Sequence, residues 1–68
     1  MTFEELIELL DELKAQAGDP EAAHSLEDEI WEKALMHIAF NCTDVAEAAA
    51  FAMRALGTRD IPHDRWYA

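Results

Sequence analysis

Apolar residues recur at three- and four-residue spacing through most of this 68-residue chain, and strand-like alternation is missing. Phe3, Leu6, Ile7, Leu10, Leu13 and Ala17 form one stripe, with Glu4, Glu5, Glu8, Asp11 and Glu12 on the opposite face. Thr2 followed three residues later by Glu5 is a capping box, so the pattern predicts a first helix over 3–17, ended by Gly18 as its C-terminal cap. Asp19-Pro20 reads as a cap followed by proline at the first helical position, where its missing N–H costs nothing. Leu26, Ile30, Ala34 and Ile38, with Trp31, Leu35 and Cys42 on the adjoining stripe, predict a wide apolar face on a second helix over 20–41. Ser25 with Asp28 repeats the capping-box spacing, so a short turn over 20–24 before a helix over 26–41 is the alternative to one continuous helix distorted near Ser25. The continuous helix is favoured.

Thr43 or Asn41 can cap a third helix over 44–56, closed by Gly57, with Asp44 and Glu47 in its first turns and Arg54 toward its end, the signs the helix dipole favours. Val45, Ala48, Ala49, Ala52, Met53 and Leu56 are its expected inner face, whose alanines let another backbone approach closely; Phe51 lies off this stripe. Pro62 disfavours helix at Ile61, so residues 57–68 are read as an extended or turned tail whose Ile61 and Trp66 fold back onto the helices. The expectation is an all-α fold: a small three-helix bundle in one domain, 1–68, with that tail packed against it.

The charge is segregated. Fifteen acidic side chains face five basic ones, a net charge of −10, and residues 1–32 hold eleven of the acids with Lys14 as their single Lys or Arg. So anionic a surface argues against direct nucleic-acid contact, because Lys and Arg supply most of the affinity for a phosphate backbone. It favours a basic protein partner and speeds encounter with one; the plainer alternative is an acidic surface that serves solubility. No basic region with a following apolar run opens the chain, which predicts no secretory signal and a cytoplasmic protein. No apolar run approaches the roughly 20 residues that span a bilayer. A chain this short buries only about 60% of its unfolded surface, and with Cys42 as its one cysteine it can form no internal disulfide. Caps, a self-associating face or a partner must supplement the core, so a homodimer is among the expectations.

His24, Glu27 and Asp28, with Glu21 one turn earlier, stand where one helical face can gather them as a divalent-metal site or an acid–base cluster. Their alternative is a solvated helix start, since a second histidine one turn away is lacking and His37 is more than three turns on. Glu5, Glu8 and Asp11 or Glu12 are spaced loosely like the carboxylate ladders of helical nucleotide pyrophosphohydrolases, and equally like any wet acidic helix face. Cys42 with His37 or His63 lacks an oxyanion donor and an orienting third group, which leaves Cys42 as a small apolar residue near a helix end. Arg54, Arg59 and Arg65 are read as bridges to the acidic helices. Trp31, Trp66 and Tyr67 are the aromatics an interface would use, or, for the tryptophans, core and its seal.

His24-Ser25-Leu26-Glu27-Asp28 and Thr58-Arg59-Asp60-Ile61 followed by Arg65-Trp66 resemble, over residues 19–68, a family of short helical proteins from bacteriophages and prophage regions. In that family histidine often stands at the position of Trp31 and cysteine at that of Tyr67, so a family metal site using the second histidine would be lost here. The resemblance implies a phage-encoded accessory protein and names no activity. The leading expectation is a non-enzymatic interaction module without a cofactor, in which Glu4, Glu8, Asp11 and Glu12, with Trp31, Trp66 and Tyr67, engage a basic surface of a host or defence protein. The alternatives are a metal-dependent nucleotide hydrolase or small-molecule sequestering protein built on His24, Glu27 and Asp28, and a structural subunit of a phage assembly.

Overall fold

The computed structural model describes residues 1–62 and bears out the all-helical class: α1 (Phe3–Ala15), α2 (Pro20–Phe40) and α3 (Val45–Ala55) pack against one another, and a 3-10 helix (Leu56–Asp60) follows. There is no strand among the described residues. Residues 63–68, and with them the expectations placed on His63, Arg65, Trp66 and Tyr67, lie outside the described residues.

Both halves of the Thr2–Glu5 capping box form, each at 3.1 Å. The Thr2 backbone N–H, and after it the Thr2 hydroxyl, hold the exposed Glu5 carboxyl below the ordinary glutamate range. A depressed folded-state pKa means stabilisation that is present above the unfolded value, about 4.3, and lost as pH falls through the lower folded value. Glu5→Gln, which mimics the protonated side chain, is therefore expected to melt below the parent at pH 7 and level with it in acid. Paired circular-dichroism melts at the two pH values check this.

Asp19 caps α2 through the Ala22 N–H at 3.2 Å with Pro20 in the first turn, and the helix runs unbroken through an exposed Ser25. One internal serine costs only a few tenths of a kcal/mol, too little to break 21 helical residues. Several local expectations are corrected. Gln16, not Gly18, is the C-cap of α1, and no glycine has a positive φ, so neither Gly18 nor Gly57 provides a left-handed cap. Asp44, rather than Thr43 or Asn41, caps α3 by accepting from the Ala46 N–H at 2.9 Å. Of the two forms open to the start of the tail, residues 56–60 take the turned one, a 3-10 helix, rather than the extended one, and the chain straightens only at Ile61, before Pro62.

The core is Leu6, Leu10 and Leu13 of α1, Ala23, Leu26, Ile30 and Ala34 of α2, Phe51 and Ala55 of α3, and Ile61. Phe51, which the stripe left aside, is 3% exposed and is the hub of the α3 contacts: Phe3 meets its ring edge-on at 5.5 Å and His37 stacks on it at 4.1 Å. The α3 face expected inside is instead largely outside, with Val45, Ala49, Ala52, Met53 and Leu56 all exposed. Arg54 meets no helix carboxylate in an ion pair among the described residues; it lies over the Phe3 ring, 5.4 Å from its centre.

Candidate functional site

Turning α3 so that Phe51 points inward leaves an apolar groove between α2 and α3. It has a volume of about 280 Å³ and is lined by Trp31, Ala34, Leu35, Ile38, Ala52, Ala55 and Leu56. At about 100° per residue, Leu35 lies outward of Trp31 on α2, with Asp28 and then Glu32 next around the helix. Both acids are exposed, so they border the groove on that side. The corresponding positions on α3 are Ala49 and Met53, also exposed. One lip is acidic and the other is apolar.

Trp31 is not a core residue but an exposed one, held in place from one side. Its indole N–H donates to Thr58 Oγ1 at 3.0 Å and lies 3.3 Å from the Ala55 carbonyl, which ties α2 to the end of α3, while 37% of the residue stays open to solvent. The tether holds the ring as a rigid wall. Leu35 is 66% exposed and Leu56 50%, an unfavourable arrangement in water that contact with another apolar surface relieves.

Glu4, Glu8, Asp11 and Glu12 are exposed on α1, as the charge pattern required, and none of them lines the groove. Asp11 is 3.9 Å from Lys14 and Glu12 accepts from Gln16 at 3.4 Å. The acids of α1 therefore make a field rather than a pocket. His24 and Asp28 pair at 3.4 Å on the surface of α2, whereas Glu27 is fully buried, so this trio is divided between solvent and core.

A different group of potential ligands converges where α2 gives way to α3. The donor atoms of His37, Cys42 and Glu47 all lie within 4.8 Å of one another, and His37 Nε2 is 3.2 Å from Glu47 Oε1. Removal from water and then the Glu47 carboxylate, with a smaller contribution from Asp44, push the Cys42 thiol up from its ordinary value. Glu47 carries no signal in the sequence as a neighbour of His37 and Cys42, because a five-residue spacing across a helix end and a first-turn acid have no periodic signature. No helix among the described residues is long and apolar enough to cross a membrane. No protein-family model, no curated protein and no solved structure matches this sequence.

Proposed function

We propose that this chain is a non-enzymatic protein-interaction module whose α2–α3 groove receives an amphipathic helix with an apolar face and basic flanks. The observation that carries this reading is the groove itself: apolar throughout, walled by a tethered Trp31, and bordered on one side by Asp28 and Glu32. An apolar helix face lying in a hydrophobic groove is a recurrent mode of recognition. The alanines of α3 permit close approach, and basic flanks on the partner would meet the acidic lip. Charge chooses between a foreign partner and a second copy, because two chains of net charge −10 repel one another. Glu4, Glu8, Asp11 and Glu12 on α1 add long-range attraction and act on the rate of encounter. The resemblance to phage and prophage proteins supplies the setting, in which the basic partner is a host or defence protein.

The test uses two model helical peptides with the same leucine face, one flanked by lysines and the other by glutamates. Titration is followed by calorimetry, with the parent, a Leu35→Gln/Leu56→Gln variant that keeps the net charge, and a variant with Glu4, Glu8, Asp11 and Glu12 reversed to lysine. The lysine peptide is expected to bind the parent alone among the peptides, to lose at least tenfold in affinity with the groove variant, and to associate more slowly with the α1 variant. Equal binding by parent and groove variant, or preference for the glutamate peptide, overturns the reading. So does a stable dimer of the parent in sedimentation at low salt.

A further inference from the structure

We propose that His37, Cys42 and Glu47 form a three-ligand site for a divalent transition metal of zinc type, which clamps the end of α2 to the start of α3. Imidazole, thiolate and carboxylate are each ordinary zinc ligands, and zinc with three protein ligands keeps a fourth position for solvent. The backbone already brings the three together. The His37 carbonyl accepts both the Asn41 N–H at 2.9 Å and the Cys42 N–H at 3.1 Å, which folds residue 42 back toward the last turn of α2. Two residues on, Asp44 caps α3 and places Glu47 in its first turn.

Donors sharing one tetrahedral zinc lie roughly 3.3–3.8 Å apart, given bond lengths of about 2.0–2.3 Å. His37 and Glu47 stand at 3.2 Å, and the whole group falls within 4.8 Å, so closing it takes side-chain movements of about an ångström. His37 is the rigid member: its side chain is only 10% exposed and its ring stacks on Phe51 with 26° between planes. Its Nδ1 is buried without a hydrogen-bond partner, which leaves the ring oriented by packing and by Glu47. Zinc at Nε2 would put the imidazole proton on Nδ1, where no carboxylate waits to receive it. The affinity should therefore fall short of sites whose histidine has such support.

Binding makes three metal bonds and, at the sulfur, releases one proton. The Cys42 S–H gives its proton to solvent as the sulfur takes the metal, with no change of oxidation state. The cation also enters a region where Glu47 and Asp44 already concentrate negative charge around the thiol.

The experiment titrates zinc, and cobalt as its spectroscopic substitute, into the full chain kept reduced, alongside Cys42→Ser and Glu47→Gln. Both substitutions lie outside the buried core, so circular dichroism can confirm that each variant remains helical. The expected result is one zinc per chain, a sulfur-to-cobalt charge-transfer band, and a melting temperature that rises with zinc. Cys42→Ser should abolish the band, and each variant should lose at least tenfold in zinc affinity. The proposal is overturned by failure to bind zinc at millimolar concentration, by a cobalt complex without the sulfur band, or by unchanged affinity in both variants. The last outcome would move binding to the surface carboxylates.

Discussion

Phe51→Ala is expected to leave the chain largely unfolded at room temperature. Truncating a buried phenylalanine costs about 3–5 kcal/mol, and a core of this size rarely supplies more than about 3–5 kcal/mol in all. Phe51 is 3% exposed and is the largest side chain that α3 sends inward, the rest of that core face being Ala55. Its ring also carries Phe3 edge-on and supports the His37 imidazole, so the vacancy would loosen α1 and the end of α2 together. Far-UV circular dichroism through a urea titration gives the answer: the folded baseline should be lost or nearly so. Phe51→Leu, which refills most of the volume, should recover a cooperative transition. An alanine variant as helical and as urea-resistant as the parent would contradict the packing described.

Ile30→Ala and Leu35→Ala are expected to behave oppositely although the apolar pattern assigns both to α2's apolar face. Ile30 is fully buried, and its loss should cost about 2–5 kcal/mol, a transfer term plus the cavity left behind. Leu35 is 66% exposed and its truncation should fall within about 0.5 kcal/mol of the parent. Midpoints of urea unfolding at constant slope measure both. Parity between the two would place Leu35 in the core and remove the groove. The expected divergence instead separates what holds the protein together from what it offers to others.

The contrast between helices shows where periodicity suffices. On α1 five acids occupy one side, so Leu6, Leu10 and Leu13 had only one direction in which to be buried, and they are buried. α3 has only Glu47 and Arg54 as charges within its eleven residues, and alanine marks neither inside nor outside. Its rotation was free on paper, and the structure buries Phe51, whose ring packs on Phe3 and His37, while Val45, Met53 and Leu56 stay exposed. Glu27 shows the converse, a carboxylate grouped with His24 and Asp28 by spacing and yet fully enclosed between helices.

Helix number, the caps at Thr2 and Asp19, the turn out of helix before Pro62 and the acidic bias of the first half are all local properties, dictated by neighbours a few residues apart. They could be read directly from the residues. Which side of α2 and α3 would remain uncovered, and that His37, Cys42 and Glu47 would meet, were settled only when the helices packed. Those outcomes depend on helix rotation and on side-chain volumes brought together from distant parts of the chain, and no spacing along the sequence encodes them.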